Sequence, residues 1–198
     1  GALMLILNVW HPDILEFISS KREMGRITNA NISVGVTDDF MAAVEADGDW
    51  EFCFPDTNDE KYATEWTGNM KTWKERGGQV IVHKTVRARE VWDTIIESAW
   101  ASAEPGLWFV DRSNQMSNSW YYDRGDLICT NPCGEQPLPA WAVCNLGHIN
   151  LSRFTHDGKV KWDALGHTVR TAVRFLDNVI DATPYFFPQN QSQQQDER

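Results

Sequence analysis

The residues best suited to chemistry lie close together in the chain. Three of the four cysteines, Cys129, Cys133 and Cys144, fall within sixteen positions, and Cys133 stands inside the run Asn131-Pro132-Cys133-Gly134-Glu135. If that run is extended, the two-residue side-chain period puts Asn131, Cys133 and Glu135 on one side, with roughly 6–7 Å between successive members. Pro132 disfavours helix there, and Gly134 leaves room for a ligand beside the backbone. A thiol between an amide and a carboxylate can bind a hydroxyl, pass a proton through Glu135 and do sulfur chemistry at the same centre. Spacing alone leaves open whether the sulfur acts as a nucleophile or as a radical.

A second chemistry is available to the same cluster. Cys129, Cys133, Cys144 and His148 offer three sulfurs and an imidazole, the donor set of a structural zinc site. Against it, paired zinc cysteines usually sit on a tight knuckle, and a Pro-Cys-Gly-Glu run would leave an unexplained carboxylate beside the metal. An inert α/β segment with all these residues structural is the third reading. Cys53, on an alternating strand, and Cys129 are expected to fill core positions, as free cysteines often do. His11 and His148 are expected to act as caps or satisfied polar groups, and the acids of 38–60 as a hydrated face.

The elements that must position the cluster alternate. Ala2–Leu7 reads as a strand buried on both faces. A helix follows from Pro12, with Ile14, Phe17 and Ile18 on one face. Asn31–Val36 is the next strand, and Thr37 caps a helix over Asp38–Ala46 whose first turn is acidic. Trp50, Phe52 and Phe54 alternate with Glu51 and Cys53 in a third strand. Residues 55–78 read as an excursion with one short helix. Val80–Val82 precedes a helix with Trp92, Ile95, Ile96 and Ala99 on one face, ended by Pro105-Gly106. Leu107–Val110 is a strand, and 113–149 mixes short extended pieces with loops. A turn at Asp157-Gly158 leads to a last helix whose inner face carries Leu165, Val169, Ala172, Val173, Leu176 and Ile180. The pattern predicts an α/β fold with a largely parallel sheet over residues 1–188, then a polar tail, Gln189–Arg198, disordered or cut short.

Composition narrows the partners. The 198 residues carry a formal net charge of −10, which argues against a surface built to neutralise nucleic-acid phosphates. No apolar run is long enough for a membrane helix, and the opening residues lack the features of a signal peptide. The expectation is a cytoplasmic chain with reduced thiols and neither nucleic acid nor membrane as partner. Ten tryptophans suggest more apolar surface than one such chain can cover alone.

Thr130-Asn-Pro-Cys-Gly-Glu-Gln-Pro-Leu138, followed by Val143-Cys-Asn-Leu-Gly-His-Ile-Asn-Leu151, resembles the active-site signature of the ribonucleotide reductases, in the form of their cobalamin-dependent class. His11–Ile18 with Lys21, Thr28–Val36, Val86–Trp92 and Ala103–Gly106 resemble further segments of that family in the same order. The resemblance implies that Cys133 is the thiyl radical site that removes the ribose 3′-hydrogen. It implies that Glu135 takes the 3′-hydroxyl proton, that Asn131 binds the sugar hydroxyls, and that Cys144 is one of two thiols that end as a disulfide. Lys21 to Asn31, with Lys21, Arg26, Asn29 and Asn31, would occupy the place of the specificity loop that answers to an effector nucleotide. Adenosylcobalamin is the implied cofactor, and a ribonucleoside di- or triphosphate the implied substrate. A thioredoxin-type reductant and complementary N- and C-terminal reductase segments are the implied protein partners. The implied fold is a ten-stranded α/β barrel of which this chain supplies the middle.

Overall fold

The computed structural model describes residues 1–22, 27–118 and 125–197. It divides into two compact units, one of residues 1–117 and 126–137, the other of 118–125 and 138–198. Strands and helices alternate through the first unit, as expected of an α/β chain.

The first unit is built on three parallel strands, β1 (Leu3–Asn8), β2 (Ala30–Val36) and β5 (Gly106–Phe109), with β2 in the middle. Helices α1 (Ile14–Ser19), α2 (Asp38–Glu45) and α5 (Ala88–Ser102) supply the covering layer. Val34 and Val36 of β2 share one core with Ile14, Ile18, Phe40, Val44, Val91 and Ile95, all almost fully buried. At about 25 cal/mol per Å² of apolar surface, such a cluster is the main favourable term in this unit. Thr37 starts α2 as expected, its hydroxyl accepting from the Phe40 N–H at 3.2 Å. Gly35 is fixed by close approach: a Cβ there would lie 2.4 Å from Asn8 Oδ1.

The expectation for β1 is corrected. Leu3 and Leu5 are 52% and 37% exposed, because β1 pairs only with β2 among the described residues and a strand needs cover on each side to be buried on both faces. In α5 the buried stripe runs through Val91, Ile95 and Ser98, whereas Ile96 is 48% exposed.

Strands β3 (Asp49–Pro55) and β4 (Val80–Arg87) form an antiparallel pair with a bulge at Phe52/Cys53. The excursion between them holds two short helices, α3 (Tyr62–Glu65) and α4 (Met70–Glu75), where one was expected. Trp73 and Cys53 are buried there with Trp10 and Met70, so Cys53 is a core residue. Helix α6 (Val110–Met116), in a stretch expected to be extended or looped, follows β5 directly.

In the second unit, β8 (Thr155–His156) and β9 (Lys159–Val160) make the hairpin expected at Asp157-Gly158. Both turn residues have positive φ, 50° and 72°, the signature of a two-residue type I′ turn. Helix α7 runs from Trp162 to Ala182 and α8 from Pro188 to Glu197, over the segment read as a polar tail. On α7 only Ile180 of the predicted inner face is buried; Leu165, Ala172 and Leu176 are half-buried, and Val169 and Val173 are exposed. No helix among the described residues is long and apolar enough to cross a membrane, and the described strands close no barrel.

Candidate active site

The cysteine-bearing run, which belongs to the first unit, is the connection of a hairpin between β6 (Cys129–Thr130) and β7 (Pro137–Leu138). The connection is too short for a parallel crossover, so the strands turn back on each other. Its entry is anchored by Asn114 of α6, which acts as a backbone surrogate. The Leu127 N–H donates to Asn114 Oδ1 at 2.8 Å, and Asn114 Nδ2 donates to the Leu127 carbonyl at 3.2 Å. Asn69 Nδ2 donates to Asp126 Oδ2 at 2.9 Å just before it.

The run itself is a tight turn, which corrects the extended reading. The Gly134 N–H donates to the Asn131 carbonyl at 2.9 Å, the Asn131 N–H donates to the Gln136 carbonyl at 3.1 Å, and Gly134 has φ 83°. The physical reason is the residue order: Asn in first place, Pro in second and Gly in fourth is the preferred sequence of a type I β-turn. Cys133 occupies the third place without a positive φ, as that turn type requires. The three residues thus sit on a turn rather than along a strand, which removes the two-residue period that would have put their side chains on one side.

Their surroundings differ. Asn131 is 7% exposed, and its Oδ1 accepts from the Gln136 N–H at 3.0 Å, so half of its amide maintains the loop. Cys133 and Glu135 are exposed at the tip. A Cβ built on Gly134 meets nothing within 4 Å beyond its chain neighbours, so the backbone between them is open on that side. Cys129 is half-buried at the base, and burial pushes its thiol pKa up, the opposite of what a nucleophile or metal ligand needs.

Cys144 lies in the second unit, exposed, in a stretch without regular structure; the adjacent Asn145 Nδ2 donates to the Leu176 carbonyl of α7 at 2.9 Å. His148 is exposed in the same stretch. Among the described residues no group of three or more His, Cys, Asp or Glu side chains is arranged to hold a metal ion, so the zinc reading of Cys129, Cys133, Cys144 and His148 finds no support.

Of the residues given to the specificity loop, Arg26 lies outside the described residues. Lys21 forms an ion pair with Glu104, the two side chains 13% and 23% exposed. Asn29 is exposed. Asn31 reaches the turn: its Nδ2 donates to the Pro132 carbonyl at 2.5 Å, across 101 positions of sequence. His11 is a satisfied polar group just ahead of α1, its Nδ1 accepting from the Asp13 N–H at 3.1 Å. Sequence reasoning missed Asn114 and Glu104. The Asn-Pro-x-Gly order could have announced the turn, but nothing local marks Asn114.

Comparison with known proteins identifies the family. A family model described as the barrel domain of ribonucleotide reductase matches residues 1–198. A vitamin B12-dependent ribonucleoside-diphosphate reductase of Thermoplasma acidophilum is 44% identical over 93% of this chain and 21% of its own length. One of Mycobacterium tuberculosis is 40% identical over 96% of this chain and 24% of its own. The ribonucleoside-diphosphate reductase large subunit of Trypanosoma brucei is 31% identical over 93% of this chain and 23% of its own. The chain thus spans between a fifth and a quarter of these curated relatives. With the cysteine turn and the parallel strands behind it, the match over its whole length shows that the chain belongs to the ribonucleotide reductase family, within the barrel domain.

Proposed function

We propose that this chain carries part of the substrate-reducing site of an adenosylcobalamin-dependent ribonucleoside-diphosphate reductase. The observation that carries the reading is Cys133, presented at the open tip of a hydrogen-bonded turn two residues from Glu135. Relatives named as B12-dependent diphosphate reductases support both the cofactor and the substrate class.

Each residue then has one task. Cys133, as a thiyl radical, takes the hydrogen from the ribose 3′-carbon and returns it at the end of the cycle. Glu135 accepts the 3′-hydroxyl proton while that carbon is a radical. Asn131 spends its Oδ1 on the turn, which leaves Nδ2 as the donor to a sugar hydroxyl. Cys144 and a second thiol supply two electrons and two protons as the 2′-hydroxyl departs as water, and they end as a disulfide. Adenosylcobalamin, when bound, supplies the radical by homolysis of its cobalt–carbon bond. Cys133, exposed at the tip of the turn, is the residue of this chain that would face it.

The remaining partners follow from the same reading. The effector nucleotide meets the segment of Lys21, Arg26, Asn29 and Asn31. An open cleft of about 570 Å³ lies beside that segment, lined by Lys21, Arg22, Glu97 and Trp100, with Lys21 paired to Glu104 and Arg22 to Glu97. A thioredoxin-type reductant renews the dithiol, and complementary reductase segments complete a ten-stranded barrel.

The test is reduction of a ribonucleoside diphosphate by the complete reductase containing this chain, with adenosylcobalamin and a dithiol. Deoxyribonucleotide is expected from the wild type and none above background from Cys133→Ala; equal activity of the two refutes the reading.

A further inference from the structure

The position of the Cys133 turn is set from outside the hairpin, by a side chain of the parallel sheet. Asn31 is the second residue of β2, paired with Met4 in the β1–β2 ladder. The next backbone N–H, that of Ile32, donates to Glu104 Oε1 at 2.9 Å, and Glu104 Oε2 is paired with Lys21. Asn31 therefore stands on backbone held by a strand ladder on one side and by a partly buried carboxylate on the other. From that base its Nδ2 donates to the Pro132 carbonyl at 2.5 Å.

The carbonyl it grips belongs to the peptide that joins Pro132 to Cys133. Because a peptide group is planar and rigid, restraining its oxygen also restrains where the Cys133 Cα at its far end can lie. The hydrogen bonds within the turn set its shape, but they do not set where the turn stands above the sheet. A contact from another element does that: Asn114 of α6 holds the entry at Leu127, and the Asn31 bond ties the turn itself to β2.

We propose that Asn31 is a positioning residue for Cys133, an amide strut that holds the radical-bearing turn at a fixed height and angle over the sheet. The proposal rests on the assignment of Cys133 made above. A reacting sulfur displaced by about 1 Å from the atom it must meet loses on the order of a hundredfold in rate, and sites built on strands hold such tolerances better than loops do. Asn31 is exposed, so its removal deletes one hydrogen bond and leaves the core intact.

The experiment uses the full reductase polypeptide that contains this chain. Asn31→Ala is expected to lower kcat about 10- to 100-fold, with KM for the ribonucleotide and the thermal midpoint little changed. Asn31→Asp, nearly isosteric but turning an acceptor toward the Pro132 carbonyl, should be as slow, and Asn31→Gln, which keeps the donor, should recover most of the rate. The sulfur-radical spectrum adds a readout that stability does not move, since coupling to the β-protons follows the Cys133 side-chain dihedral. That pattern should change in Asn31→Ala and return in Asn31→Gln. Unchanged kcat in Asn31→Ala overturns the proposal, and so does a loss that tracks the thermal midpoint and is not rescued by Gln. Cys133→Ala separates the two levels. If it is inactive while Asn31→Ala is unaffected, only the strut fails; if it remains active, the assignment of Cys133 fails with it.

Discussion

The two thiols assigned to the reaction are held in different ways. Cys133 stands on a turn closed by bonds between Asn131, Gly134 and Gln136, entered through Asn114 and gripped by Asn31. Cys144 stands in a stretch without regular structure, with an Asn145 bond to α7 beside it. A sulfur that must meet one C–H bond needs rigid placement, because orientation carries much of the rate. A sulfur that must meet a substrate and then a reductant needs access more than rigidity, since exchange depends on which sulfur can be reached. On the proposed roles, the same functional group is held by two supports suited to two duties.

The sharpest way to break this contrast is to remove each thiol. Cys133→Ala should lower turnover on the order of a thousandfold or more, the scale for deleting a reacting group, with stability changed by less than about 0.5 kcal/mol because the side chain is exposed. Cys144→Ser should abolish dithiol-driven turnover yet leave the radical on Cys133 detectable by electron paramagnetic resonance. Loss of that radical in Cys144→Ser would erase the distinction.

Next in size is the scaffold beneath the turn. Phe40 is fully buried against the β2 core, and Phe40→Ala should cost about 3–5 kcal/mol in denaturant unfolding. Gly134→Ala tests the turn alone. The site has room for a Cβ, but φ is 83°, so the cost is about 1–2 kcal/mol of left-handed strain, read as faster hydrogen exchange at Gly134 and Gln136. A larger effect at Gly134 than at Phe40 would mean that the turn supports the sheet, and not the reverse.

The smallest effect is on pH. Burial lowers the His11 pKa below its ordinary value near 6.5, with Asp13 partly opposing it. The unfolded chain therefore binds the proton first as pH falls. Stability contributed by the neutral ring is fully present above 6.5, declines as pH drops below it, and is gone once the depressed folded pKa is passed. His11→Gln should flatten that acid-side slope in thermal unfolding between pH 7 and 5.

Much of this was legible in the residues themselves. The Thr37 cap and the Asp157-Gly158 turn follow local rules and stand where those rules put them, whereas the expected alternation of β3 breaks at the Phe52/Cys53 bulge, where both residues are buried. The Cys133 run was misjudged locally, because proline's fixed φ serves an extended chain and the second place of a turn equally well, and Gly134 decides between them. Helix α6 hid behind Asp, Ser and Asn, which have low helix propensity. The Asn31 strut joins positions 101 apart, and no window along the chain can reveal such a contact. The bare leucines of β1 were misplaced for a related reason, since burial belongs to what lies beside a strand rather than to the strand itself.

The most direct test is whether the radical resides on Cys133. In the reductase loaded with adenosylcobalamin and a ribonucleotide, then frozen during turnover, a sulfur-centred signal should narrow when cysteine is deuterated at its β-carbon, and it should be missing from Cys133→Ala. A β-deuterium-sensitive signal that survives in Cys133→Ala would contradict the account.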